Sequence, residues 1–341
     1  MTTPDPADAG SGEVVAAASV EPKATFPLPS GTIGPGTGDR VFRGLSEGSG
    51  VLIVVLIAAI GVFLVMRAIP ALARDKENFF TYGGNWITTN PAAMHFGIFD
   101  LLQVTVFTAL FALTLAMPVA LGIAIFLTQY ASRRIAGPLA YMVDLLAAVP
   151  SIIYGVWGLY VLAPRLRPIA TWLNEHLGWL FLFATGNVSV SGGGTIFTGG
   201  IVLAVMILPI ITAVTREVLI KTPQSQIEAA LALGATRWEV VKTTVLPFGR
   251  SGYISGAMLG LGRALGETVA LLIILRGTQT AFGWSLFDGG KTFATKIAAT
   301  AAEFNNEYKA GAYIAAGLVL FLLTFVVNAT ARAAVSGKDS R

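Results

Sequence analysis

The chain has 341 residues, 54% of them hydrophobic and only 12% charged, about half the charge of a soluble domain, and its mean hydropathy is +0.71. A soluble fold is excluded, because the apolar residues gather into blocks long enough to cross a bilayer, which takes about 20 residues per helix. Cysteine is absent, which excludes disulfides, thiolate metal sites and cysteine nucleophiles, and the net charge of +4 lies between apolar blocks, where it reads as membrane topology rather than nucleic-acid binding.

In chain order, residues 1–46 are rich in Pro, Gly, Ala, Ser and Thr and bury too little apolar surface to offset their ordering entropy; a disordered tail is expected. The apolar run at 14–18 is too short for a secretory signal, and no basic residue precedes it. Six apolar blocks follow, at about 51–70, 101–127, 137–162, 196–215, 252–275 and 311–331. They predict an all-α integral membrane protein of six transmembrane helices. The second and third exceed the minimum span, so tilt or kinks are expected, with Pro118 and Pro150 as the kink sites. An even number of spans places the tails, 1–46 and 332–341, on one side. With that side cytoplasmic, the inside segments carry thirteen Lys and Arg against eight outside, a positive-inside bias.

The three outer connections, roughly 71–100, 163–195 and 276–310, are long for a simple bundle. Their aromatic stretches, 172–183 and 282–287, fit interfacial packing at headgroup depth or a platform for an external partner. The only histidines, His95 and His176, are far apart in sequence, and no clustered ligand set for a metal is present.

The connection 216–251 is not a plain loop. Thr222-Pro223 is a helix start, since proline at the first helical position loses no needed donor, and Ser225 with Glu228 offers an alternative capping box. Ile227, Ala230 and Leu231 supply the apolar side of a short helix that Gly234 can end in a left-handed cap. Thr236 and Glu239 form a second capping box, leading through Val240, Val241 and Val245 to Pro247. Two short helices with a glycine hinge fit a docking element for a soluble partner, or an interfacial hairpin with none.

Glu228-Ala229-Ala230, Gly234, Thr244 and Leu246-Pro247 resemble the EAA loop of ABC importer permeases, EAA-x3-G-x9-I-x-LP. Thr244 departs from it, standing where that family has isoleucine. The resemblance implies a type I, MetI-like permease fold with cytoplasmic coupling helices. It also implies that this loop fits a cleft on an ATP-binding subunit, with Glu228, Ala229, Ala230, Gly234, Leu246 and Pro247 as the coupling residues.

Two basic residues fall within spans. Arg67 lies near enough to a helix end to snorkel. Arg263 sits near the middle of 252–275, where a charge costs at least about 2.5–3.5 kcal/mol. Glu267, four positions on, is expected on the same helical face within pairing reach. The pair reads as a structural ion pair or as a substrate site, in which a guanidinium fork meets a crossing oxyanion. Gly252, Gly256 and Gly260 recur every four residues, as do Gly262 and Gly266, a spacing that lets helices approach closely.

The string GLGRALGETVALL at 260–272 resembles the fifth-span signature of phosphate-importer permeases, Gly-Arg-Ala-x-Gly-Glu-Thr. AVPSIIYGVWGLYVLAP at 148–164 resembles the third span of the PstC type more than its PstA partner. MPVALGIAIFLTQYA at 117–131 and LPIITAVTREVL at 208–219 agree. The resemblance covers about 98–331, which would be the permease domain, with 47–97 holding the first span and an outer segment. It implies a multi-pass bacterial inner-membrane subunit, both termini cytoplasmic. Its implied partners are a homologous PstA-type permease, two PstB-type ATPases, an external PstS-type phosphate-binding protein and the bilayer. Arg263 and Glu267 are then the substrate-pathway residues. No cofactor is expected on this chain; ATP and Mg belong to the partner ATPase.

Other motifs fall away. Gly290-Lys291-Thr292 ends like a phosphate-binding P-loop, but Ser285 stands where that pattern needs glycine. Gly260-x-Gly262 lacks the third glycine of a dinucleotide fingerprint, and Asn187-Val188-Ser189 fits a glycosylation sequon that is chance if the cell is bacterial. An intramembrane enzyme would need a second catalytic group facing Arg263 or Glu267, and no other span supplies one. A permease for sulfate or molybdate, an ion-coupled transporter and a channel are the remaining alternatives; the last two have no use for an ATPase dock.

Overall fold

The computed structural model describes residues 37–90, 92–277, 281–304 and 306–336, all helix, turn and loop apart from two isolated β-bridges, Asp75 with Met94 and Ile87 with His95. The expected tail over 1–36 lies outside the described residues, but 37–46 is helical, because α1 runs Thr37–Leu72. Two units, 1–56 and 57–341, divide the chain. The described part of the first is the opening of α1, whose apolar side chains from Val51 to Leu56 are exposed, as lipid-facing residues are.

In the second unit, α2 (Phe99–Ile125) continues through Pro118 into a π turn at Phe126–Tyr130. Next come α3 (Arg133–Ala148), α4 (Ser151–Trp157) and α5 (Ala163–Leu177), then α6 (Ile196–Leu219). The short α7 (Gln224–Ala232) and α8 (Arg237–Val240) precede α9 (Leu246–Leu265) and α10 (Val269–Ile274). Last are α11 (Phe293–Thr300) and α12 (Glu307–Ser336).

Four of the described helices are long and apolar enough to cross a membrane, or five with the bent pair Arg134–Ala148 and Ser151–Leu177, which turns by 91°. The expected count was six. The difference has local causes. Pro150 forces Val149 out of helical geometry, to φ −66°, ψ 128°, as proline does to its predecessor, so the third block is bent at the expected kink. Pro118 produces no break. The fifth block is interrupted at Gly266, rich in glycine and charged at Arg263 and Glu267, so no single long apolar helix covers 252–275.

Small residues set the core. Ala109, Ala112, Ala116, Ala120 and Ala124 of α2 are buried at helical spacing, sharing a core cluster with Leu203, Ile207 and Ile211 of α6 up to Ala120. On α9, a Cβ at Gly252 would strike Val218, and one at Gly260 would come within 2.9 Å of Ile211. Gly252, Gly256 and Gly260 therefore pack α9 on α6, as their spacing predicts. Gly262 and Gly266 have no such neighbour. Near α12, Gly311 lies against Ala71 and the Arg67 carbonyl of α1. Arg67 Nη1 donates to Glu307 Oε1 at 2.7 Å, so its charge is paired at the helix end.

Candidate functional site

The connection between α6 and α9 folds as two short helices around a glycine, as its caps predict. Gly234 has φ +86°. Its N–H donates to Leu231 O at 2.9 Å, and the Ala235 N–H donates to Ala230 O at 3.1 Å, the paired bonds of a Schellman cap. Thr236 Oγ1 accepts from Glu239 N at 3.3 Å, and Glu239 Oε2 accepts from Thr236 N at 2.7 Å, completing the predicted box. These bonds hold the exposed Glu239 carboxyl below its usual pKa. The first start differs in detail. Thr222 closes α6 by donating to Leu219 O at 2.9 Å, α7 begins at Gln224 after Pro223, and the Ser225–Glu228 box does not form.

Pro247 does not end the second helix. Residues Val241–Val245 form a π turn in which Leu246 N–H reaches Val241 O. That extra residue per turn accommodates a proline lacking the N–H and room for a normal i to i−4 bond. The helix thus passes from the Thr236 cap into α9 and on to Leu265. Ile227, Ala230, Ala235 and Leu246 pack against Val240, Val241 and Val245 and the ends of α2 and α6 at Ala124, Ile125 and Leu219. Glu228, Ala229, Gly234 and Pro247 are exposed. The tip carries Leu233, 90% exposed, beside Trp238 at 58%. The structure gathers the proposed coupling residues into one seated knuckle with an apolar crest.

Arg263 and Glu267 are separated by a break. α9 ends at Leu265 and Gly266 is exposed, so the expected single helical face does not exist. No ion pair joins the two among the described residues. Glu267, 7% exposed, turns its Oε1 to accept the Ala270 N–H at 3.1 Å, satisfying the open amine end of α10. Arg263, half-buried in the last turn of α9, has no hydrogen bond or ion pair to a described residue. Its charge bears on the Tyr154 phenol, which donates to Leu146 O at 2.8 Å across the bend between α3 and α4. A half-buried cation without a carboxylate carries a desolvation cost that a bound anion would offset. Sequence reasoning missed Tyr154 and the break. The available signal for the break was Gly266-Glu267, a helix terminator followed by an acidic residue three before Ala270.

A helical membrane bundle with a compact knuckle at one end and, among the described residues, an unpaired guanidinium at a broken helix has the parts of a transporter's membrane component rather than of an enzyme. Residues 116–337 match the family described as binding-protein-dependent transport system inner membrane component, and the chain belongs to that family. It is 59% identical over 301 residues to the phosphate transport system permease protein PstC 2 of Mycobacterium tuberculosis, covering 88% of this chain and 93% of that one. To PstC of Mycobacterium leprae it is 63% identical over 277 residues, 81% and 86% of the two chains. To PstC of Xylella fastidiosa (strain Temecula1) it is 39% identical over 295 residues, 86% and 89% of the two chains. Among solved structures, the inward-facing MetNI methionine ABC transporter aligns at 17% identity and TM-score 0.47, over 71% of this chain and 94% of that one.

Proposed function

We infer that this chain is the permease subunit of an ATP-driven importer of inorganic phosphate. The observation that carries this is its identity of 59–63% to mycobacterial phosphate permeases over most of their length. The chain pairs with a homologous PstA-type permease, two PstB-type ATPases and an external PstS-type binding protein. ATP and Mg reside on the ATPase. Both termini and the knuckle are cytoplasmic, so the connections at about 71–100, 163–195 and 276–310 face outward.

The geometry supplies a mechanism. A push on the crest around Gly234 reaches α9 without passing a flexible joint, because the helix is continuous from Thr236 to Leu265. α9 carries Arg263 at its far end, so the guanidinium moves with the knuckle. Arg263 offers forked donors to a phosphate oxygen. Glu267 fixes the start of α10 and so the position of the break. In the reconstituted complex, phosphate should stimulate ATPase activity while sulfate does not, and Arg263→Ala should abolish phosphate uptake with the complex still assembled. Equal stimulation by sulfate would move the substrate to another oxyanion, and normal uptake by Arg263→Ala would leave the break as a structural feature only.

A further inference from the structure

A second cationic site lies at the other end of α2. A cavity of about 460 Å³ opens there, lined by Trp86, Asp100, Asn187, Lys291 and Lys296 together with glycine backbone from 83–84 and 289–290. Its volume falls in the range of about 300–1,000 Å³ typical of small-ligand sites. At ~30 Å³ per water it has room for a hydrated ion. The knuckle packs at Ala124 and Ile125, whereas this cavity meets α2 at Asp100, Leu101 and Val104. The two ends of this 27-residue helix are about 40 Å apart at 1.5 Å per residue.

The charges there are unbalanced. Two lysines and one aspartate line the cavity, and neither lysine has a carboxylate within 4 Å among the described residues. Cations on α1 and α12 do: Arg67 pairs with Glu307 at 2.7 Å and Lys309 with Glu303 at 2.8 Å. Lys296 instead stands over the Trp86 ring, Nζ 4.9 Å from its centroid. Burial first, then the Lys291 charge, bring its pKa down to about 8. Two lysines against the one Asp100 carboxylate leave the described lining net positive, which favours an anion from solution. The hollow also lies close along the chain to the break. Gly277 at its rim follows α10, whose six residues rise only about 9 Å from the break beside Arg263. Lys291 belongs to the Gly-Lys-Thr run that resembles a phosphate loop without its fold.

We propose that this cavity is an oxyanion antechamber, in which Lys291 and Lys296 take free phosphate at the outer mouth before it reaches Arg263. The proposal rests on the phosphate-permease reading and adds to it a second, earlier site. The test is acetylation of Lys296, followed by mass spectrometry of its peptide, in the full complex held in phosphatidylcholine nanodiscs. A phosphate ion at the site keeps the amine protonated and covered. Added inorganic phosphate should slow the reaction by 1 + [phosphate]/Kd, or about tenfold at about nine times Kd. Lys291→Gln should weaken that protection, and Arg263→Ala should leave it intact even where uptake is lost. Slowing by chloride equal to that by phosphate at matched ionic strength would reduce the effect to screening and overturn the proposal. So would absence of slowing by phosphate, or slowing only in phosphatidylglycerol discs without added phosphate, which would assign the site to a lipid headgroup. Because protection is read at Lys296 and transport at Arg263, either site can fail without the other.

Discussion

Gly234 turns the connection between α6 and α9 through a left-handed backbone at φ +86°, yet a Cβ there would meet nothing within 4 Å among the described residues. Its freedom of backbone is therefore the local requirement. A β-branched residue in that region costs about 1–3 kcal/mol, whereas asparagine tolerates it. Gly234→Val should lower phosphate uptake per ATP hydrolysed in proteoliposomes, and Gly234→Asn should largely retain it. Equal damage by both would show that space against the ATPase, not backbone angle, keeps the glycine. This residue was legible in the sequence because its evidence is local: the Schellman bonds and the Thr236–Glu239 box each span a few residues. Arg263 was legible as a charge out of place, but its supposed partner was not. Helical spacing predicts a pair at 263 and 267 only while the helix continues, and Gly266 stops it.

At the scale of elements, the loop before α11 is organised by one carboxylate. Asp288, 1% exposed, accepts from the backbone N–H of Asn187 at 2.8 Å, Gly283 at 2.8 Å and Ser285 at 3.0 Å. Ser285 Oγ in turn donates to Ala184 O at 2.6 Å. Asp288→Ala leaves three amides short of an acceptor at about 1–3 kcal/mol each when buried. It should lower the thermal midpoint of the purified complex by several degrees, with Asp288→Asn falling between the two. An unchanged midpoint for Asp288→Ala would show that water replaces the carboxylate. The bonds to Asn187 and Ala184 were not readable beforehand, since those partners lie about 100 residues away. The same holds for the Trp86, Asp100 and Lys296 cavity. Helix existence was readable from hydropathy, and the bend at Pro150 from proline chemistry. The passage through Pro247 was not, because a π turn leaves no composition signal.

For the whole molecule, the packed alanines of α2 and glycines of α9 bring these two helices close around α6, and the knuckle sits where α2 and α6 end. The proposed coupling of the knuckle to an ATPase requires it to face the cytoplasm. The chain has no cysteine, so a single introduced thiol reports position without background. With Leu233→Cys at the exposed crest, a membrane-impermeant maleimide should label inverted vesicles and not intact spheroplasts, and bound ATPase should protect the thiol. Labelling in intact spheroplasts would put the knuckle outside, beyond reach of any cytoplasmic motor, and would contradict the account at its centre.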